Sequence, residues 1–205
     1  MRCWAIIPIK GKGEGKTRLA GVLSASERDA LVDAMLAHVV QAAGQAGSIE
    51  RVLLVGPSRH GLDGAIPLLG DPGTGLNTAL GAALDTASGG ALAAIGAEGP
   101  DRVVVIAGDL PCVTALDLDL MAQVPAGTLG IAPDRHGTGT NALSLPLPDA
   151  SRFIFRFGAD SRALHQREAE RLGLAVETIC SAGLEKDVDE PADLTDAAPV
   201  FTPAR

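Results

Sequence analysis

No tyrosine occurs in this chain of 205 residues, and only four phenylalanines and one tryptophan do. Aromatic platforms for stacking nucleic-acid bases are therefore nearly absent. Positive charge is short as well. Lys and Arg number 17 against 25 Asp and Glu, a net charge of −8, whereas nucleic-acid binding wants a net positive face. Cysteine is limited to Cys3, Cys112 and Cys180, an odd number, far apart and without a CxxC pair. That pattern argues against both a disulfide framework and a zinc site. No apolar run approaches the roughly 20 residues that cross a bilayer. The N-terminal apolar stretch is broken at Pro8 and lacks the long core and cleavage site of a secretory signal. A cytoplasmic protein with neither nucleic-acid nor membrane partner is expected.

What is present is a chain 46% apolar, long enough for one domain over residues 1–205, with a flexible tail from about 198. Short apolar runs alternate with helical patterns. Strands are expected at 3–9, 51–55, 66–69, 102–107, 129–132, 141–145 and 175–179. Helices are expected from Ser24 to Ala43, Leu76 to Ala87, Thr114 to Gln123, Ser161 to Leu172 and Glu190 to Ala197. Gly89-Gly90 and Gly96 to Pro100 read as turns. Such alternation predicts an α/β fold with a mostly parallel central sheet. Ligands of such sheets lie beyond the carboxyl ends of the strands, so the segments after Ile9, Ala107 and Ile179 are expected to meet in one cleft.

Positive charge concentrates at Lys10 to Arg18, KGKGEGKTR, which carries Lys10, Lys12, Lys16 and Arg18 against Glu14 alone. Three glycines there let backbone N–H groups turn toward an anion. The loop reads as a phosphate cradle, with a solvated surface loop as the plain alternative. It is not a P-loop, because Gly11 precedes Gly15-Lys16-Thr17 by three residues instead of four. Asp109 closes an apolar strand and is placed for Mg2+, or for capping the turn at Leu110-Pro111. Asp187 and Asp189 flank Val188. In extended chain both carboxylates share a face while Val188 enters the core; a solvated acidic turn ahead of Pro191 fits the spacing equally well. The segment 134–141 (DRHGTGTN) suits a carboxylate or phosphate. Ser161 opens a helix, as an anion site or as a plain N-cap. Gly75-Leu76-Asn77 opens another helix, where Asn77 is placed to meet a base edge. His38, His60, His136 and His165 have no partner at ligand or triad spacing.

Taken in order, IIPIK and KTRL within 6–19, GLN at 75–77, GDLP at 108–111, APDRHGTGTNAL at 132–143, FRFGADS at 155–161 and DVDEPADL at 187–194 resemble the 2-phospho-L-lactate guanylyltransferase family of coenzyme F-420 biosynthesis. That family includes enzymes using phosphoenolpyruvate or 3-phosphoglycerate. GDLP and DVD-x-P-x-D-L occur in many nucleotidyltransferases; GTGTNAL with RFG-x-x-S is the more specific pair. The resemblance implies a three-layer, Rossmann-like nucleotidyltransferase fold with a mostly parallel mixed sheet, moving GMP from GTP onto a phosphorylated acid. It implies nucleotide contacts at Pro8, Lys10, Lys16, Arg18, Gly75, Leu76, Asn77 and Asp109. It further implies catalytic roles for Asp109, Lys16 and Arg18, acceptor contacts at Thr140, Gly158 and Ser161, and Mg2+ on Asp109, Asp187 and Asp189. A homodimer stays open. The other readings are a molybdopterin-type relative with another nucleotide or acceptor, and a non-catalytic nucleotide-binding module.

Overall fold

Among the described residues, strands β1 (Cys3–Pro8), β2 (Arg51–Val55), β3 (Leu68–Leu69), β4 (Arg102–Ile106), β5 (Thr128–Pro133), β6 (Thr140–Pro146) and β7 (Ala175–Thr178) alternate with helices. These are α1 (Ala25–Gln45), α2 (Leu76–Asp85), α3 (Ala115–Ala122), α4 (Ser161–Leu172) and α5 (Leu194–Ala197). The computed structural model describes residues 1–71, 75–90 and 99–203. The strands form one sheet in the order β3-β2-β1-β4-β6-β5-β7. Only β6 runs against its neighbours, pairing antiparallel with both β4 and β5. The sheet is thus mixed and mostly parallel, as expected.

Both faces of the sheet are covered, which explains the continuous apolar runs of the inner strands. Along β1, Cys3, Ala5 and Ile7 face a core shared with Leu36 and Val39 of α1 and Leu118 and Met121 of α3. Trp4 and Ile6 face the opposite core, with Leu80 and Leu84 of α2 and Ala169 of α4. Three layers result. A third, smaller cluster bears directly on function. Leu19 and Leu23 after β1, Leu31 and Met35 of α1, Val188 and Ala197 pack together, with Val200 and Phe201 against them. It clamps the C-terminal acidic segment onto the loop after β1. In the segment after Ala198, the N–H groups of Val200 and Phe201 donate to the Ala197 carbonyl.

Local chemistry sets the element ends. Ser24 caps α1 through a capping box with Glu27, and Thr114 caps α3 with Asp117. The strand expected from Ile66 begins only at Leu68, where pairing to Leu54 starts. The helix expected from Glu190 is instead a 3-10 turn, Pro191–Asp193, followed by the four residues of α5. Its first turn closes tightly because the Asp193 carboxylate folds back to accept the N–H groups of Asp189 and Glu190. The turn expected at Gly89-Gly90 is a wide helical turn, Thr86–Gly90, broken at Gly89 with φ 126°. Residues 72–74 of the Asp71–Gly75 loop and residues 96–98 of the Gly96–Pro100 turn lie outside the described residues.

Candidate active site

A cleft of about 220 Å3 opens at the carboxyl ends of β1 and β4, between Pro8, Lys10, Lys16, Leu76, Gly108 and Asp109. The Lys/Gly loop does not open directly into an α-helix, since α1 begins only at Ala25. It runs into a 3-10 turn, Thr17–Gly21, anchored by the buried Leu19. Lys16 itself has left-handed backbone angles, φ 54° and ψ 40°, which cost a non-glycine residue about 1 kcal/mol. Its ammonium enters the cleft. Nζ lies 2.5 Å from Asp109 Oδ2 and 2.9 Å from Asp189 Oδ1. Its side chain is 8% exposed, against 59% for Lys12 and 69% for Arg18. The loop's cations thus differ in kind. Lys16 is locked in the site, and Arg18 stands at its rim, 3.7 Å from Asp189.

The acidic segment is held from three directions. Val188 is fully buried in the third cluster, and its N–H donates to the Asp109 carbonyl at 3.3 Å. That pairing brings residues 109 and 187–189 together across the chain. Asp189 lines the cleft. Asp187 lies alongside, accepting from Asn141 Nδ2 at 3.3 Å. Arg135 braces the segment, donating to the Asp187 carbonyl at 2.8 Å and pairing with Asp193 and Asp196.

Electrostatics separate the three carboxylates. Burial pushes the Asp187 carboxyl above its ordinary value, and the nearby charge of Asp109 adds to this, while Asn141 opposes it. Burial would also raise Asp189, but Lys16, then Arg18 and Lys10, hold it below the usual carboxylate range. Burial acts to lower the Lys16 ammonium; Asp109 and Asp189 overcome it and leave Lys16 firmly protonated. Among the described residues no three acidic, His or Cys side chains close around one point. The space between two of the carboxylates is taken by the Lys16 ammonium. Mg2+ binds through one or two carboxylates plus substrate phosphates, so this hard-oxygen set fits it.

The segments expected to contact an acceptor meet on the far side of β6. Pairing between β5 and β6 steps from Ala132–Ala142 to Pro133–Thr140, leaving Asn141 as the extra residue of a bulge. Asn141 therefore turns to Asp187 and the Leu184 carbonyl, while Thr140 contacts His165 of α4. The start of α4 is tied to the same loop, as Arg162 N–H donates to the Thr138 carbonyl at 3.1 Å. Gly158, at φ 128°, and Asp160, at φ 54°, turn the chain into α4. The N-cap position falls on Asp160, so Ser161 is not the cap; it is the first helical residue and is buried. In the 134–141 loop the N–H groups of Thr138 and Gly139 are taken by Asp134 Oδ1 at 2.9 Å, leaving neither for a ligand. Asn77 likewise turns inward. Its amide accepts from Phe157 N–H at 2.8 Å and donates to the Phe157 carbonyl at 3.2 Å. It links the start of α2 to the 155–161 segment.

Four contributors were not legible from spacing. Asp193 and Arg135 act as struts for Asp187–Glu190; the Pro191 and Asp193 helix-start pattern was the available signal. His60 lines the cleft with Nδ1 2.6 Å from Asp33 Oδ1 and Nε2 2.7 Å from the Lys10 carbonyl. It holds the mouth of the Lys/Gly loop from 50 residues away. His165 contacts Thr140 and Arg156. Neither histidine has a partner at a sequence-readable interval.

Residues 3–198 match the family model described as Guanylyl transferase CofC like. A protein of Sphaerobacter thermophilus named phosphoenolpyruvate guanylyltransferase is 38% identical over 200 residues, covering 95% of this chain and 91% of its own. A 3-phospho-D-glycerate guanylyltransferase of Phenylobacterium zucineum is 34% identical, covering 95% of this chain and 88% of its own. The solved structure of 4-diphosphocytidyl-2C-methyl-D-erythritol synthase shares the fold with a TM-score of 0.63 at 13% identity, over 98% of this chain and 99% of that one.

Proposed function

This chain belongs to the CofC-like guanylyl transferase family, and from that premise we propose that it moves GMP from GTP onto the phosphate of a small phosphorylated carboxylic acid. The acceptors named for its relatives are phosphoenolpyruvate and 3-phospho-D-glycerate; 2-phospho-L-lactate is the third candidate. The observation that carries the reading is the Lys16 ammonium between Asp109 and Asp189, at the carboxyl ends of β1 and β4. It supplies anchored positive charge and paired carboxylates at one point, as transfer between two polyanions requires.

In the reaction, an oxygen of the acceptor phosphate attacks the α-phosphorus of GTP in line. The new P–O bond forms as the bond to the bridging α–β oxygen breaks, and pyrophosphate leaves with that electron pair. The attacking phosphate is already anionic, so no strong general base is needed. Charge repulsion and misalignment make up the barrier. Lys16 and Arg18, with Lys10 at the mouth, neutralise the leaving pyrophosphate. Pro8 and the Gly75–Asn77 helix start shape the nucleotide side of the cleft, where Asn77 acts by fixing Phe157. Thr140, Gly158 and Ser161 orient the acid. Asp109 and Asp189, with Asp187 alongside, would hold Mg2+, which when bound offsets phosphate charge.

The test is incubation of the chain with GTP and Mg2+, separately with phosphoenolpyruvate, 3-phosphoglycerate and 2-phospho-L-lactate, followed by mass spectrometry. A guanylated acid plus pyrophosphate is expected with at least one. GTP binding without any product would make the chain a binding module. Product formed from CTP in preference to GTP would move it to a related nucleotidyltransferase activity.

A further inference from the structure

His165 is completely buried, carries a titratable ring, and has no part in the mechanism above. Its Nδ1 lies 3.1 Å from Thr140 Oγ1. The direction of that hydrogen bond is decided at the other end of the ring. The backbone N–H of Arg156 points at Nε2 at 3.0 Å, and a peptide N–H can only donate. Nε2 therefore carries no hydrogen. The ring is neutral, its hydrogen is on Nδ1, and Nδ1 donates to the threonine oxygen. The hydroxyl hydrogen of Thr140 is thus turned away from the ring, and among the described residues no other group receives it.

We propose that His165 is a positioning residue for the acceptor: it commits the Thr140 hydroxyl to act as a donor toward an anionic oxygen of the bound phospho-acid. The inference rests on the reading of Thr140 as an acceptor contact. The same ring sets both halves of the acceptor region, since one nitrogen holds the backbone of the 155–161 segment and the other holds the first residue of β6. The surroundings keep it rigid and neutral. Phe157 lies edge-on at 4.9 Å between centroids and Phe153 at 5.7 Å. The charged group acting on it is Glu168, one turn along α4, itself paired with Arg171 and under the field of Arg156. Burial depresses the ring's pKa to about 4 against the opposing pull of Glu168, so the same tautomer persists through neutral pH. A carboxylate or phosphate oxygen, which can only accept, is the group such a hydroxyl selects.

The experiment compares His165→Gln, Thr140→Val and the double variant, using whichever of the three acids the wild-type chain turns over best. Gln can still accept from Arg156 N–H but does not reach Thr140 from the Nδ1 position. Each single variant is expected to raise KM for the acid about 10- to 100-fold, with KM for GTP within about 2-fold of wild type. The double variant is expected to be no worse than the weaker single variant, because both remove one interaction. His165→Asn, which keeps an N–H near the Nδ1 position but gives up the Arg156 contact, is expected to bind the acid measurably more tightly than His165→Gln. Multiplicative losses in the double variant, or equal losses for GTP and acid, overturn the inference. Nitrogen-15 NMR of the wild-type chain reads the tautomer without any variant having to fold. A protonated Nδ1 with bare Nε2 is expected, and the reverse overturns the inference. Turnover of none of the acids by the wild-type chain refutes the functional reading itself, whereas turnover with multiplicative variants refutes the role of His165 alone.

Discussion

The neutral, buried His165 makes stability depend on pH in a way that can be worked out in advance. Its pKa is about 4 in the folded chain against an ordinary 6.5. Between these values the unfolded chain binds a proton that the folded chain refuses, so stability rises with pH across this window and falls as pH drops through it. Well above pH 6.5 both states are neutral at this residue and nothing further is gained. Each pKa unit corresponds to about 1.4 kcal/mol. Acidification from pH 8 to pH 5 therefore removes about 2 kcal/mol through this one residue, and the full loss by pH 4 approaches about 3 kcal/mol. The assay is urea unfolding of the wild type and of His165→Asn at pH 5, 6, 7 and 8. The variant starts less stable at pH 8, because it loses ring packing and the Arg156 contact. Its deficit should shrink by about 2 kcal/mol on going to pH 5, since other carboxylates titrate alike in both chains. A deficit that stays the same at pH 8 and pH 5 would refute the assignment of a neutral, proton-refusing imidazole.

Four further substitutions probe the cleft. Asp109→Asn removes one of the two carboxylates on Lys16, and turnover should fall by orders of magnitude while circular dichroism and melting stay near wild type; near-normal turnover at saturating Mg2+ takes Asp109 out of the mechanism. Val188→Ala empties part of the third cluster and should cost roughly 1.5–3 kcal/mol in urea unfolding, with turnover falling further as Asp187 and Asp189 lose their spacer. Asp193→Ala strips the acceptor from the N–H groups of Asp189 and Glu190. It should cost about 1–2 kcal/mol and raise the Mg2+ concentration needed for half-maximal turnover; an unchanged Mg2+ requirement would show that this strut does not act on Asp189. Lys16→Met removes the main counter-charge of Asp189 and leaves only Arg18 and Lys10 to oppose burial, so carbon-13 NMR of that carboxyl should show it titrating above its wild-type value.

The amino-acid sequence by itself determined the layered α/β class. Continuous runs such as RVLLV and RVVVI require apolar cover on both faces, and amphipathic stretches between them supply it. It also determined where charge would gather, since KGKGEGKTR is the one dense cationic stretch in an acidic chain. The alternation Asp187-Val188-Asp189 was readable because an extended chain has a period of two. Tertiary structure alone decided which lysine is locked between carboxylates. Lys10, Lys12 and Lys16 look alike in the string, and only the left-handed backbone at Lys16 together with two carboxylates, 93 and 173 residues away, distinguishes it. It also decided the fate of Asn77 and Asp134, polar residues that look ready for a ligand and turn instead to backbone groups. The bulge at Asn141 sends neighbouring side chains to opposite faces, toward Asp187 and toward His165. Such outcomes depend on hydrogen bonds between groups far apart along the chain, and local propensity carries no record of them, whereas periodicity and charge density are local and survive in the order of residues.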